Sequence, residues 1–235
     1  MLRFIDGKKM GKSSLGWLES RFHFSFAEYY NPDNMQFGVL RVVNDDLVAP
    51  GTGFDTHPHR DMEIISYVVD GELTHADSMG NKSTLTRGQV QYMSAGTGVL
   101  HSEHNFGREK LRFLQIWILP DKKGHTPNYG DFRFKIEDRE NTWLPIAAGV
   151  DNTDSGAPIR IHQDINAYAA ILTNRAGIDF PTAKGRQAYL VMIEGSADIN
   201  GIKVGTRDAL EITGETVTVK PDEAAHILVI EMAEA

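Results

Sequence analysis

The sequence predicts an all-β protein with two related, jelly-roll-like barrels in one chain. Three observations carry this prediction. Short β-type segments alternate with turn residues, and sequence segments of the first half recur in the second. The length of 235 residues is enough for two domains of ordinary size. The chain contains no cysteine, so disulfides and thiolate chemistry are excluded and any redox chemistry must belong to a bound group.

Six segments of the first half have the composition of β-strands. The predicted strands cover residues 37–43, 63–69, 72–77, 82–86, 90–94 and 111–119. The segments between them are short and contain glycine or asparagine, which favour tight turns. These turns are Asp70-Gly71, Met79-Gly80-Asn81 and Arg87-Gly88. Antiparallel strands joined by such turns are typical of a jelly-roll-like barrel.

The second half repeats the first in a weakened form. Residues 177–179 and 191–195 resemble residues 53–55 and 67–71 and stand at the same separation along the chain, which predicts duplication of a whole domain. A segment richer in Pro, Gly and charge lies between the halves and is predicted to have little regular structure. The predicted organisation is an N-terminal domain over 1–120, a connector over 121–158 and a C-terminal domain over 159–235.

Two pairs of metal-binding side chains lie in the first half. His57 and His59 form one pair, and His101 and Glu103 form the other. Alternate residues of a β-strand point to the same face, so two neighbouring strands would bring four ligands into one pocket. Three histidines and one carboxylate suit a divalent transition metal and leave coordination positions open for water, substrate or dioxygen.

The second half has not kept these ligands. Pro181 and Ala183 stand opposite His57 and His59 in the repeat, so a metal site is predicted in the first half only. Histidines outside the two pairs are interpreted as structural or surface residues, and alternation places His104 on the strand face away from the pocket. They are His23, His75, His104, His125, His162 and His226. Gln115 either packs in the barrel or hydrogen-bonds a ligand or a substrate oxygen.

The spacing around the two pairs resembles the two signature motifs of the cupin superfamily. Cupins place such histidines on facing strands inside a double-stranded β-helix. More specifically, four segments are similar to those of pirin-family bicupins, above all the bacterial pirin-like proteins with quercetin 2,3-dioxygenase activity. The segments are residues 57–60, 77–81, 93–103 and 115–117. The sequence departs from the cupin pattern at Gly96, where many members have proline, and in the spacing of Gly71 and Gly88.

The resemblance decides between two carboxylates. Position parity alone allows Glu63 to share a face with His57 and His59, as the glutamate of the first motif does in most metal-binding cupins. In pirins the carboxylate ligand is instead the glutamate two residues after the last histidine, here Glu103. The resemblance therefore implies His57, His59, His101 and Glu103 as ligands, with Glu103 also the expected catalytic base. It leaves Glu63 as the rival ligand.

Cofactor and substrate follow from the same resemblance. It implies one divalent transition metal, with iron(II) as the first candidate and nickel, cobalt, manganese, copper or zinc as alternatives. The expected reaction cleaves quercetin or a similar planar phenolic substrate with O2 and releases carbon monoxide. The alternative hypothesis is a redox-sensitive, metal-containing interaction protein or transcriptional coregulator that binds a protein partner without turnover. A non-redox cupin such as an isomerase is a third hypothesis.

Charge and hydropathy exclude two further classes of partner. The formal net charge is −8 and no run of Lys and Arg is long enough to make a strong phosphate-binding face, so direct nucleic-acid binding is not expected. No stretch approaches the ~20 apolar residues of a membrane span, and the N-terminus lacks the apolar core of a secretory signal. No membrane association and a cytoplasmic location are expected.

Overall fold

Short apolar segments separated by turns form antiparallel β-strands throughout the computed structural model, which describes residues 1–173 and 177–234. Two 3₁₀ turns, Ile136–Arg139 and Thr153–Ser155, are the helical segments of the described residues. The strands up to the end of the first half are β1 (Leu2–Ile5), β2 (Gly11–Ser14), β3 (Leu18–Phe22), β4 (Leu40–Val48), β5 (Thr52–His59), β6 (Glu63–Asp70), β7 (Leu73–Asp77), β8 (Lys82–Leu85), β9 (Val90–Ser94), β10 (Val99–Asn105), β11 (Leu111–Ile118) and β12 (Asn128–Phe132).

The remaining strands have the same short, largely apolar character, apart from two long ones. They are β13 (Leu144–Gly149), β14 (Ile159–Ile161), β15 (Ile165–Leu172), β16 (Ile178–Phe180), β17 (Arg186–Ile199), β18 (Ile202–Gly205), β19 (Ala209–Thr213) and β20 (Val217–Ala233). The predicted all-β fold is confirmed, and β6, β7, β8, β9 and β11 lie where the sequence predicts strands. The strand predicted over 37–43 begins later, as β4. Within the described part of the chain, no helix is long and apolar enough to cross a membrane.

The chain divides into two compact units. The N-terminal unit comprises Gly11–Phe134 and Ile161–Gln163, and the C-terminal unit comprises Met1–Met10, Lys135–Arg160 and the chain from Asp164 onward. These units differ from the predicted domain bounds in three places, one of which is Ile161–Gln163, predicted in the C-terminal domain. Residues 1–10 join the C-terminal unit because β1 pairs with β19. These strands are far apart in sequence, so no local sequence pattern predicts their pairing. The predicted connector is also not irregular, since it contains β12 and β13, which pair with β9 and β15.

The N-terminal unit consists of two sheets. One has the strand order β12-β9-β6-β11-β4-β3-β2 and the other the order β5-β10-β7-β8. Fully buried apolar side chains from both sheets form one cluster, including Val68 and Phe113 of the larger sheet with Leu73 and Leu85 of the smaller. Each such side chain contributes about 1.5–3 kcal/mol by burial, so the cluster holds the two sheets face to face. This is the barrel that the sequence predicts.

The two ligand-bearing segments lie side by side in the smaller sheet. β5 and β10 are antiparallel neighbours, and His101 stands directly opposite His57. Along β10, Val99, His101 and Glu103 are buried while Leu100 is exposed, which is the alternation of a half-buried strand. The register between β5 and β10 shifts between His101 and Glu103, so the carboxylate is offset from the histidine pair of β5.

The C-terminal unit contains one large sheet with the order β1-β19-β17-β20-β15-β13-β14, in which β16 pairs with β20 and β18 with β17. The pairing of β17 with β20 shifts register between Met192 and Glu194 and between Gly195 and Ala197. Such irregularities let long strands bend around a common core. That core is apolar and includes Leu190, Leu210 and Ile227 among its buried members.

A glycine sets the distance between the two ligand strands. A Cβ atom on Gly53 of β5 would lie 2.4 Å from the carbonyl oxygen of Glu103 and 2.5 Å from the Cα of His104. Both contacts are with backbone, so β10 itself would have to shift. Gly205 of β18 is a matched control, because its Cβ would meet nothing closer than a side-chain oxygen of Asp208 at 3.5 Å.

We expect Gly53→Ala to lower the free energy of unfolding by about 1–3 kcal/mol through overpacking against β10. Gly205→Ala should leave it nearly unchanged or slightly higher, because removing a glycine reduces the entropy of the unfolded chain. Urea unfolding followed by circular dichroism measures both. Equal midpoints for the two variants would contradict the close approach of β5 and β10.

Candidate metal centre

Three of the four predicted ligands converge at one point. His57 and His59 lie two residues apart on β5 and His101 lies opposite on β10, and one ring nitrogen from each falls within 4.8 Å of the others. The ring centroids are 4.5 Å apart for His57 and His101, and 4.8 Å apart for His59 and His101. The strand spacing seen in the sequence therefore does bring these imidazoles together, at distances at which they could share one metal ion.

Hydrogen bonds leave suitable ring nitrogens free. The Nδ1 atom of His57 lies 2.7 Å from the backbone carbonyl oxygen of Asp55, which only accepts, so Nδ1 carries the proton and Nε2 keeps its lone pair. The Nε2 atom of His101 is buried and has no hydrogen-bond partner among the described residues. Buried polar atoms are rarely left unsatisfied, and a metal ion would satisfy this one. The site fits a metal on this observation.

A hydrogen-bonded chain orients His101. The Nδ1 atom of His101 lies 3.4 Å from Nδ1 of His75, and Nε2 of His75 lies 3.0 Å from a carboxylate oxygen of Asp77. Asp77 accepts from His75, so Nδ1 of a neutral His75 accepts in turn from His101. The sequence interpretation of His75 as an ordinary histidine missed this role. The signal was present, because His75 and Asp77 are themselves two residues apart on β7 and so share a face.

Burial keeps the histidines in the form that binds metals. Burial, together with the neighbouring imidazoles, lowers the pKa of His59 to about 4 and that of His101 to about 3. Both rings are therefore neutral at pH 7, with a lone pair available for coordination. The ring of His59 also stands edge-to-face on Trp117, with 4.9 Å between centroids, which fixes its orientation.

Glu103 is buried and held by three donors from the opposite sheet. The amide of Gln115 donates to one carboxylate oxygen at 2.6 Å, and the amide of Gln91 and the hydroxyl of Ser66 donate to the other at 2.7 and 2.8 Å. Gln115, Ser66 and Gln91 stand opposite one another on β11, β6 and β9. Gln115 therefore takes the hydrogen-bonding role that the sequence leaves open. A Glu103 oxygen also lies within 4.8 Å of ring nitrogens of His75 and His101.

The rival carboxylate, Glu63, lies apart from the histidine group. It accepts a hydrogen bond from the hydroxyl of Ser94 at 2.6 Å and lies 3.4 Å from Nδ1 of His162. The parity argument fails here because β5 ends at His59, and Asp61, with a φ of 51°, turns the chain before β6 begins. Glu63 belongs to neither group of potential metal ligands found in the described residues.

A cavity of about 270 Å³ opens beside the histidines. Its walls carry apolar rings together with the predicted ligands and further polar side chains: Phe26, Asn44, Asp46, Phe54, His57, His59, Glu103, Gln115 and Trp117. The volume is near the lower end of ligand pockets, which run from about 300 to 1,000 Å³. It therefore admits a small molecule or one part of a larger one, against ring faces that suit a planar group.

Asp46 is an additional polar group in this cavity that sequence reasoning missed. Its pKa is raised to about 7, chiefly by burial and also by the negative charges of Asp45 and Glu103, while a hydrogen bond from Ser20 lowers it in part. Its Oδ1 atom is buried without a partner among the described residues. The neighbouring Asp45 instead pairs with Arg112, at 2.9 and 2.7 Å. The sequence signal was a run of three polar residues, 44–46, inside a largely apolar strand.

We expect Asp46→Asn to stabilise the metal-free protein above neutral pH. A folded acid with a raised pKa holds its proton more tightly than the unfolded chain does, so Asp46 costs stability as pH rises from its ordinary value of 3.8 to about 7. Asparagine resembles the protonated form, so the variant should gain roughly 2–4 kcal/mol at pH 8 and little at pH 4. Urea unfolding at both pH values measures this, and a pH-independent difference would contradict it.

The fold and the site together define a cupin with two barrel units, one of which carries a histidine and glutamate cluster suited to a divalent metal. The family model described as "Pirin" matches residues 5–118, and the model described as "Quercetinase C-terminal cupin domain" matches residues 149–232. The chain belongs to the pirin family. The resemblance and the bicupin fold expected from the sequence are confirmed.

Relatives and solved structures match the chain over its whole length. A Pseudomonas aeruginosa protein with the provisional name quercetin 2,3-dioxygenase is 44% identical over 228 residues, which cover 96% of this chain and 97% of that protein. The quercetin 2,3-dioxygenase of Escherichia coli is 38% identical over 235 residues, or 99% of each. The crystal structure of the bacterial pirin YhhW from E. coli in complex with nickel(II) has a TM-score of 0.92 at 37% identity and covers 100% of both chains.

Proposed function

We propose that the N-terminal unit binds one divalent transition metal through His57, His59, His101 and Glu103 and acts as a dioxygenase. The substrate would be quercetin or a similar small planar phenol or enol, which is cleaved with O2 and releases carbon monoxide. The observation that carries the proposal is the buried, unpartnered Nε2 of His101 beside two further imidazoles. The names of the P. aeruginosa and E. coli relatives support the choice of reaction.

Each group of this chain has a distinct task in that reaction. When bound, the metal supplies Lewis acidity toward a chelating oxygen and the means to use dioxygen. The rings of Phe26, Phe54 and Trp117 line the cavity, so they hold a flat substrate and exclude water. The donors to Glu103 fix its carboxylate, and the chain from Asp77 through His75 fixes His101. The centre is thereby organised before substrate arrives.

The metal is proposed to be iron(II), with nickel as the first alternative. Neutral imidazoles with one carboxylate accept most first-row divalent ions, and availability as much as affinity decides among them. The solved E. coli pirin structure is a complex with nickel(II), so both ions belong in any test. Manganese, cobalt, copper and zinc complete the set.

We expect Glu103→Gln to lower metal affinity by roughly 100-fold, because the carboxylate supplies the only negative charge among the proposed ligands. Glu63→Gln is the matched control, since it removes a buried carboxylate of the same barrel that bonds Ser94 and His162 instead. It should keep its metal. Elemental analysis after dialysis against a weak chelator measures both. Metal retained by the Glu103 variant and lost from the Glu63 variant would overturn the ligand set.

Turnover is tested on protein reconstituted anaerobically with each of iron(II), nickel, cobalt, manganese and copper and then mixed with quercetin in air. We expect at least one metal to give loss of the visible flavonol band together with release of carbon monoxide. A His57→Ala and His101→Ala double variant should show neither, because two of the four proposed ligands are gone. Metal binding without turnover for any ion would instead favour the interaction-protein hypothesis.

A further inference from the structure

Unsatisfied polar atoms concentrate at one cavity. Within the described residues, the buried side-chain atoms without a hydrogen-bond partner include Nε2 of His101, Nε1 of Trp117 and Oδ1 of Asp46. Trp117 and Asp46 line the cavity, and His101 belongs to the histidine group beside it. Buried polar atoms are nearly always satisfied in folded proteins, so this concentration indicates a ligand that supplies the missing partners. A metal would satisfy Nε2 of His101, so Nε1 of Trp117 and Oδ1 of Asp46 would be left to bind the substrate.

The surroundings of Asp46 leave its carboxylate uncompensated. On β4 it shares a strand face with Asn44, while Asp45 points to the other side and pairs with Arg112. Its strand neighbours are Ser20 on β3, which donates one hydrogen bond, and Phe113 on β11. The charges that act on it are the carboxylates of Asp45 and Glu103, both negative. A group in this position favours taking up a proton.

We propose that Asp46 is the base that removes the proton from the substrate's hydroxyl group. The inference rests on the proposed function and deepens it, because it concerns the same cavity and the same reaction. It differs from the expectation drawn from the sequence, which gave this role to Glu103.

The hydrogen bonds of Glu103 argue against that residue as the base. Ser66, Gln91 and Gln115 all donate to its two oxygens. Each oxygen of Glu103 therefore already accepts a hydrogen bond from within the protein. Asp46 has one oxygen without a donor, and burial raises its pKa to about 7, close to the pH at which a base is most effective. Of these two carboxylates, Asp46 is the one with an oxygen open to a substrate hydroxyl in the cavity.

The proposed step moves one proton. The O–H bond of the substrate's phenolic or enolic hydroxyl breaks, the proton passes to Oδ1 of Asp46, and the electron pair stays on the substrate oxygen. Asp46 becomes neutral, which relieves its unfavourable charge beside Asp45 and Glu103. Dioxygen then serves as the oxidant of the overall reaction. The proton leaves to solvent with the product, and the carboxylate is restored.

The test compares Asp46→Asn with Asp45→Asn in metal-loaded protein. Asp46→Asn keeps shape and removes the base, so kcat should fall about 100-fold while KM and metal content stay close to those of the wild type. Asp45→Asn removes the adjacent buried carboxylate, which faces Arg112, so it controls for the loss of a buried acid. It should keep kcat per bound metal, although the ion pair with Arg112 is lost and stability falls. Circular dichroism verifies that both variants are folded.

A second measurement needs no turnover. Under anaerobic conditions, quercetin bound to the wild type should show the long-wavelength absorption of the ionised flavonol. Bound to Asp46→Asn, it should show that of the neutral form at the same pH. In air, Asp46→Asn should be more active toward flavonols with more acidic hydroxyl groups, because these ionise more readily without a base from the protein. A purely structural role for Asp46 predicts no such dependence on substrate acidity.

The outcomes separate the inference from the proposed function. If wild-type protein neither binds nor cleaves quercetin with any metal, the proposed function fails and the inference falls with it. If Asp46→Asn turns over as fast as the wild type and still binds the flavonol in its ionised form, the inference alone is overturned. Glu103 is then again the expected base. A loss of turnover in Asp46→Asn that is equal for flavonols of all acidities also overturns it.

Discussion

The carboxylate of Glu103 links the two sheets of the N-terminal unit, and the candidate metal centre depends on that link. β10 belongs to the smaller sheet, whereas the three donors to Glu103 stand on neighbouring strands of the larger one. A buried charge is tolerated only when such bonds satisfy it. By holding Glu103 inside the barrel, they also fix which face of β10 points inward. His101, two residues earlier, must then face inward as well.

Function at this centre opposes stability in the metal-free chain. His59 and His101 lie in surroundings that disfavour a charged ring, and Asp46 lies where its own charge is disfavoured. The two histidines cost free energy as the pH falls below their ordinary pKa of 6.5, and Asp46 costs free energy as the pH rises above its ordinary pKa of 3.8. Sites that bind ligands commonly carry this kind of destabilisation. A cation would reverse part of the cost, because it gives neutral imidazoles a partner and compensates the negative charge of the carboxylates.

Local periodicity predicted the parts of the site that lie within single strands. The two-residue spacing located His57 and His59 on one strand and His101 and Glu103 on another, because alternation is a local property. Parity failed for Glu63, since it holds only along an unbroken strand and a turn at Asp61 intervenes. The roles of Asp46, Ser66 and Gln91 were not predicted, for a different reason. Their roles arise from pairing between strands distant in sequence, as does the pairing of β1 with β19.

The two units both have an apolar core, but the cluster of potential metal ligands lies in the N-terminal unit. At the positions of His57 and His59, the repeat carries Pro181 and Ala183, and the C-terminal core is a large apolar cluster. Both groups of potential metal ligands found in the described residues lie in the N-terminal unit. An apolar interior gains free energy from burial alone. A polar one must satisfy each group, so it is built from reciprocal hydrogen bonds that specify where every side chain points. The N-terminal unit carries such a polar cluster beside its apolar core, whereas the C-terminal unit has Pro181 and Ala183 at the matching positions.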